Sequence, residues 1–110
     1  MRAVTTLAIW LIAAGAAHAA CYENLGRTGC PDAEVFPRSD LRALSCENLW
    51  LVRNSIYHEH GYCFRTARAR AQFDISSCYV TDAAELQFNR FERANVARIR
   101  EIEQQKGCTP

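Results

Sequence analysis

The chain has 110 residues, with 13 Lys+Arg, 12 Asp+Glu and six cysteines. This length allows one domain, whose small core buries only about 60–65% of the unfolded surface once a leader is removed. The near-neutral charge excludes the broad basic field that attracts nucleic acids or anionic lipids, so we expect no nucleic-acid partner.

The first 20 residues have the three-part pattern of a cleavable secretory signal peptide. Arg2 supplies the positive charge, residues 7–15 (LAIWLIAAG) are apolar, and residues 17–19 (AHA) fit the small-x-small cleavage rule. The apolar run is shorter than the roughly 20 residues of a transmembrane helix. We therefore predict cleavage after residue 19 or 20, no transmembrane segment in the mature chain, and a periplasmic or secreted protein.

Cys21 leaves a lipoprotein as the alternative to a released chain, because it directly follows the predicted cleavage region. Lipid-modified cysteines are usually preceded, three residues earlier, by a leucine. That residue here is His18, so the pattern favours release over lipid anchoring.

An even number of cysteines in a short exported chain is typical of a disulfide framework. The alternative is a metal site, but the chain has no CxxC pair, and we expect no cofactor. The six residues are Cys21, Cys30, Cys46, Cys63, Cys78 and Cys108.

After the leader, residues 21–38 are interrupted by glycine and proline and are predicted to be an N-terminal disulfide loop segment. Residues 39–110 are predicted to be a helical domain. Ser39 and Asp40 are candidate caps for a short turn over residues 41–44.

The first long helix is predicted over residues 46–59, with Ser45 as its N-cap. Apolar residues recur on one face at helical spacing, and Gly61 is placed to end the helix in the left-handed conformation. The apolar positions are Leu49, Val52 and Ile56.

A short extended piece is predicted over residues 62–65, a second helix capped by Thr66 over 67–73, and a polar loop over 74–83. Asn89 and Glu92 then form the pattern of a capping box.

This box begins the longest helix, residues 90–106, which Gly107 ends. The predicted class is all-α: an antiparallel helix pair with a short third helix, held by disulfides. The apolar arc of the last helix is Phe91, Val96, Ile99 and Ile102.

Helix length restricts the disulfide pairing. A helix from residue 46 to 58 is about 18 Å long, whereas bonded cysteines need Cα atoms within about 7 Å. Cys46 therefore cannot easily reach Cys63. If the two long helices are antiparallel, the start of one meets the end of the other. The predicted pairs are Cys46–Cys108, Cys63–Cys78 and Cys21–Cys30.

His58, Glu59 and His60 are the residues that most resemble a catalytic or metal site. Zinc-binding histidines on one helix face are spaced i and i+4, whereas His58 and His60 are i and i+2, about 200° apart. A third ligand would also be needed. An exported hydrolase or metal-dependent enzyme using these residues is therefore the second hypothesis.

Several polar residues have both a structural and a binding interpretation. Arg53 lies beside the apolar stripe, where its stem can pack and its guanidinium can hold a carboxylate or a carbonyl. His60 lies at a helix end, where an imidazole can satisfy a carbonyl. The predicted binding surface is Arg53, Tyr57, His58, Tyr62, Arg65 and Arg68. The predicted structural residues are Asn54, His60 and Gly61.

Four stretches together resemble the YARHG domain family: residues 44–50 (LSCENLW), 57–61 (YHEHG), 61–64 (GYCF) and 92–103. The resemblance covers about residues 39–108. The second stretch, YHEHG, corresponds to the family's hallmark motif and matches it at its first, fourth and fifth letters.

His58 and Glu59 depart from that motif, since they replace its Ala and Arg. A role that needs a positive charge at position 59 is therefore not available to this chain.

The resemblance implies an extracytoplasmic bacterial module without established activity, similar to small cysteine-rich exported proteins of alphaproteobacteria. Our first hypothesis is a non-catalytic envelope binding or interaction module, with peptidoglycan or an envelope protein as its partner. A secreted inhibitor or effector is the third hypothesis.

Overall fold

The computed structural model describes residues 21–110, and the predicted signal peptide lies outside the described residues. Four α-helices and one 3₁₀ turn follow one another along this part of the chain. No β-strand occurs in it, although an isolated bridge joins Tyr62 and Val80. The predicted all-α class is confirmed. The elements are α1 (Arg38–Arg42), α2 (Cys46–Glu59), α3 (Ala67–Gln72), the 3₁₀ turn (Ala83–Glu85) and α4 (Arg90–Lys106).

The helix caps confirm the local predictions. The hydroxyls of Ser45 and Thr66 each accept a hydrogen bond from the backbone N–H three residues later. Asn89 and Glu92 form the reciprocal capping box at the start of α4, and Gly107 ends that helix with a φ of 73°. These bonds satisfy backbone groups that a helix end leaves without partners.

The prediction of a turn over residues 41–44 was wrong in position. Helix α1 spans Arg38–Arg42 and follows Pro37, which has a φ of −61° and makes no side-chain cap. The fixed φ of proline suits the residue before a helix. Asp40, predicted as a cap, instead accepts a hydrogen bond from the N–H of Gly26 at 2.9 Å.

Two boundaries further along the chain also differ from the prediction. Helix α3 ends at Gln72 because Phe73 has the extended dihedral angles φ −122° and ψ 138°. The predicted loop 74–83 runs into the 3₁₀ turn, which Asp82 caps through its carboxylate. Both differences concern the ends of short elements, whose positions depend more on tertiary contacts than on local sequence.

The helices α2 and α4 are antiparallel. Cys46 at the start of α2 is bonded to Cys108, just beyond the end of α4. At the opposite end, Nε2 of His60 lies 2.9 Å from a carboxylate oxygen of Glu92 in the first turn of α4. The three bonded pairs are the predicted Cys21–Cys30, Cys46–Cys108 and Cys63–Cys78.

The main hydrophobic core lies between α2 and α4, and we call it the helix-pair core. Leu25 and Phe36, from the segment predicted as an N-terminal loop, are 2% and 0% exposed within it. This segment therefore covers one side of the helix pair, and its burial adds to a core that a short chain needs. The buried members are Leu25, Phe36, Leu41, Leu49, Val52, Ile99 and Ile102.

A second hydrophobic cluster lies on another side of α2, and we call it the aromatic lobe. Trp50, Phe64 and Ala69 are its buried residues. Consecutive residues of a helix point about 100° apart, so Leu49 faces the helix-pair core while Trp50 faces the aromatic lobe. Helix α2 is thus shared by both. The partly buried members are Leu51, Tyr57, Tyr62, Phe73 and Ile75.

Candidate functional site

A groove of about 590 Å³ lies between the aromatic lobe and the C-terminal half of α4. Aromatic rings, the buried amide of Asn54 and three arginine side chains line it. This combination of flat apolar surfaces and cations makes it the candidate functional site. The aromatic residues are Trp50, Tyr57, Tyr62 and Phe64, and the arginines are Arg53, Arg65 and Arg100.

Four of the six predicted binding residues line this groove: Arg53, Tyr57, Tyr62 and Arg65. They come from α2 and from the short segment that follows it. The segment is held against the chain beyond α3, because the N–H of Cys63 donates to the carbonyl of Val80 at 2.8 Å. Their role in ligand binding stays a prediction.

His58 does not line the groove. Its Nε2 lies 2.9 Å from the carbonyl oxygen of Asp74, and its ring lies against Phe64 and Phe73. The backbone N–H of Ser76, chiefly, keeps the pKa of Asp74 below its ordinary value, with a contribution from His58. His58 thus fixes the loop after α3 to the end of α2.

Arg68 does not line the groove either. Its guanidinium lies 3.9 Å from the centroid of the Trp50 ring and forms a 2.6 Å ion pair with Glu47. These contacts attach α3 to the first turns of α2. They are exposed interactions, of the kind that contributes about 1 kcal/mol or less to stability.

Arg53 forms a bidentate ion pair with Glu103 at the groove, with nitrogen–oxygen distances of 2.8 and 3.2 Å. Both side chains are largely covered, with 14% and 11% of their surface exposed. The pair links α2 to α4 and neutralises the charge of Arg53. A ligand in the groove would therefore contact an Arg53 side chain that is already packed and paired with the carboxylate of Glu103.

Arg65 and Arg100 differ from Arg53, because neither forms an ion pair with a carboxylate of residues 21–110. Arg100 donates a 2.6 Å hydrogen bond to the hydroxyl of Tyr57. Arg65 is exposed. The groove therefore has two arginines without an ion-pair partner among the described residues beside its aromatic rings.

Residues 31–104 match the family model of the YARHG domain. The chain belongs to the YARHG domain family. The matched range covers most of the chain and confirms the resemblance inferred from sequence. It begins at residue 31, within the segment that covers the helix-pair core, rather than at residue 39. Neither the curated proteins nor the solved structures give a significant match.

The hallmark residues of this YARHG domain connect its parts. The Tyr57 ring makes edge contacts with Tyr62 and Phe88, with centroids 5.6 and 5.3 Å away. His60, predicted to satisfy a helix-end carbonyl, instead pairs with Glu92 and so joins α2 to α4. The motif stands where both long helices and the aromatic lobe meet.

Gly61, the last residue of the motif, adopts a φ of 81°. Its carbonyl accepts hydrogen bonds from the N–H groups of Tyr79 and Val80, at 2.9 and 3.0 Å. The Tyr79 ring covers its Cα, and a Cβ at this position would overlap that ring. The backbone angle therefore favours glycine here, and the exposed Tyr79 ring would have to move to admit a Cβ.

His58, Glu59 and His60 do not form the catalytic or metal centre of the second hypothesis. His58 and His60 point to Asp74 and Glu92 respectively, so their rings do not converge. Among the described residues, no group of three or more His, Cys, Asp or Glu side chains is placed to hold a metal ion. The groove lining includes neither histidine nor serine. The groups that it offers to a ligand are aromatic rings and arginine N–H donors.

Two general properties of this YARHG domain bear on its location. All six cysteines are in disulfides, which persist in oxidising compartments outside the cytoplasm. None of the helices within residues 21–110 is long and apolar enough to cross a membrane.

Arg100, Trp50 and Phe64 line the groove but are not in the predicted binding surface. Arg100 is one of several charges on the polar side of α4, where acidic and basic residues alternate. Only the packing of α4 against α2 brings it to Tyr57, 43 residues away. Trp50 lies in the first half of α2. Its position next to Leu49 is the local indication that α2 has a second buried side.

Proposed function

We propose that this YARHG domain is a non-catalytic binding module of the cell envelope, that the groove is its ligand site, and that the ligand is peptidoglycan. The observation that carries the proposal is the groove itself, where aromatic rings adjoin two arginines that form no ion pair within residues 21–110. Aromatic rings can stack on the C–H faces of sugars or on aliphatic groups, and guanidinium groups pair with carboxylates. Peptidoglycan offers all of these partners.

The proposed location is the periplasm. The N-terminal segment has the pattern of a signal peptide, and the three disulfides suit an oxidising compartment. A wall ligand would retain the mature chain close to the peptidoglycan. Recovery of the mature protein from culture medium alone would contradict this location and favour the secreted inhibitor or effector.

The test is co-sedimentation of the oxidised domain, residues 21–110, with purified peptidoglycan sacculi. We expect specific pelleting that the double variant Arg65→Gln/Arg100→Gln reduces at least about fivefold, because each exposed ion pair is worth up to about 1 kcal/mol. The matched control is Arg27→Gln/Arg42→Gln. It removes the same charge from arginines outside the groove.

The outcomes separate the hypotheses. Pelleting that only the groove variant weakens, with unchanged circular dichroism, supports the proposed site. Equal loss in both double variants indicates a general charge effect and contradicts the site. Absence of pelleting contradicts peptidoglycan as the ligand and leaves an envelope protein as the alternative partner.

A further inference from the structure

We infer that the group recognised by the groove is a free carboxylate beside a small aliphatic side chain, as found at the end of a peptide. This inference rests on the proposed function only in taking the wall peptides, rather than the glycan strands, as the source of that carboxylate.

The charge balance of the groove favours an anion. Arg53 is neutralised by Glu103, whereas Arg65 and Arg100 have no carboxylate partner within residues 21–110. Elsewhere among the described residues, Arg38 and Arg68 are paired with acidic side chains, while other arginines, such as Arg27 and Arg42, also lack an ion pair but lie outside the groove. The unpaired cations that line the groove therefore make it complementary to a negatively charged group.

Arg100 is positioned for this role by its hydrogen bond to Tyr57. The bond uses one N–H at 2.6 Å. A guanidinium has five N–H donors, so others remain for a ligand. The Tyr57 ring is itself held by edge contacts with Tyr62 and Phe88. The donor is thus fixed in advance, which lowers the entropy lost when a carboxylate binds.

The surface beside the cations is apolar. The half-buried rings of Tyr57 and Tyr62 supply most of it, while Trp50, Phe64 and Ala69 also line the groove but are only 6%, 4% and 3% exposed. A small aliphatic side chain can cover such a surface and displace its water, which strengthens a neighbouring charged hydrogen bond. The terminal residue of a wall peptide carries its carboxylate and a methyl group on the same carbon. A phosphodiester is flanked by polar groups and complements this surface less well.

The experiment is a nuclear magnetic resonance titration of the oxidised ¹⁵N-labelled domain with N-acetylated dialanine, in both enantiomeric forms. The comparison probes are the same dipeptide with a C-terminal amide in place of the acid, and methyl phosphate. We expect shifts of the Trp50 indole and Arg100 resonances with the acid, and at least about tenfold weaker binding of the amide, the effect of one hydrogen bond to a charged group. The variant Arg65→Gln/Arg100→Gln should lose the response, while Arg27→Gln/Arg42→Gln keeps it within about twofold.

Equal binding of acid and amide, or no binding of the acid, overturns the inference. Tighter binding of methyl phosphate overturns it in favour of a phosphate ligand. The result is independent of sacculus binding. Sacculi that pellet while the acid does not bind leave the proposed function standing and this inference refuted. Binding of the acid without pelleting of sacculi supports carboxylate recognition and refutes the wall as its source.

Discussion

Asn95 is a polar residue of α4 that is 0% exposed, and it holds the N-terminal segment on the helix-pair core. Its side-chain oxygen accepts from the N–H of Phe36 at 2.8 Å. Its amide donates to the carbonyls of Pro31 and Glu34 at 3.0 and 2.9 Å. One amide thus satisfies three backbone groups, two of them in bonds that are fully buried.

Replacing Asn95 with alanine should lower the free energy of unfolding by about 2–4 kcal/mol, because buried backbone groups lose their partners. Urea denaturation of the oxidised domain measures this loss. The control is Gln105→Ala, an exposed change on the same helix, expected to stay within about 0.5 kcal/mol. Equal stabilities of the two variants would contradict the role given to Asn95.

Glu34 is a second residue that organises the N-terminal segment. A hydrogen bond from the Thr28 hydroxyl, together with the backbone N–H groups of Arg27, Thr28 and Gly29, lowers the pKa of its carboxyl to about 2. The ordinary pKa is 4.5. The folded state therefore gains stability from ionised Glu34 above pH 4.5 and loses it as the pH falls towards about 2.

We expect the Glu34→Gln variant to lack this part of the acid dependence. The measurement is the difference in unfolding free energy between wild type and variant, followed from neutral pH down to about pH 2. The difference should shrink across this range. Glu23→Gln, an exposed change in the same segment, serves as the control. A difference that is constant with pH would show that the ionised carboxylate does not stabilise the loop.

Residues were predictable from sequence where their partners are close in the chain. Ser45, Thr66 and Asn89 bond to groups three residues later, so local pattern identifies them. Asn95 bonds to Phe36, 59 residues away, and Arg100 to a tyrosine 43 residues away. The local sequence pattern does not indicate such pairs, because they depend on how the helices pack.

At the scale of elements, both long helices end at a glycine with positive φ, but for different reasons. Gly107 has a φ of 73° and no atom within 4 Å of a built Cβ, whereas Gly61 has a φ of 81° and the Tyr79 ring against it. The two sites form a natural comparison. They separate the cost of the left-handed conformation from the cost of a side-chain overlap.

We expect Gly107→Ala to cost about 1 kcal/mol of stability. Gly61→Ala should cost at least about 1 kcal/mol more, because the new methyl group displaces the Tyr79 ring. Thermal unfolding of the two variants measures the difference in stability. Adding Tyr79→Ala to Gly61→Ala should remove the extra cost at position 61. If the two alanine variants are equally stable, the ring contact does not explain the motif's glycine.

The disulfide pairing was predictable for an element-scale reason, since helix length and an antiparallel arrangement exclude most partners. The aromatic lobe was not. Its members come from α2, from α3 and from the segment between them. Trp50 lies on the side of α2 that faces the lobe. The sequence pattern of α2 indicates one apolar face, and Trp50 lies beside that face rather than on it.

At the scale of the whole molecule, the domain has two hydrophobic clusters joined through α2. The Cys46–Cys108 disulfide closes the helix pair over 62 residues, and Cys63–Cys78 closes the segment of the aromatic lobe over 15. The loop-entropy model gives them about 4 and 3 kcal/mol respectively. They should therefore affect different parts of the domain.

The double variant Cys63→Ala/Cys78→Ala should keep the helix pair but loosen the aromatic lobe and weaken ligand binding. Far-ultraviolet circular dichroism reports the helices. Trp50, the single tryptophan among the described residues, reports the lobe by fluorescence. We expect retained helicity with a red-shifted Trp50 emission. The comparison variant Cys46→Ala/Cys108→Ala should lower global stability more. Unchanged Trp50 emission without Cys63–Cys78 would contradict a lobe that depends on this bond.

The central claim is that the groove between the aromatic lobe and α4 is the ligand site. The most direct test records backbone and side-chain amide shifts of the oxidised ¹⁵N-labelled domain as soluble fragments of digested peptidoglycan are added. We expect shifts concentrated on Trp50, Arg65 and Arg100, with the loop 26–29 unaffected. Shifts concentrated on that loop, or none at all, would contradict the claim.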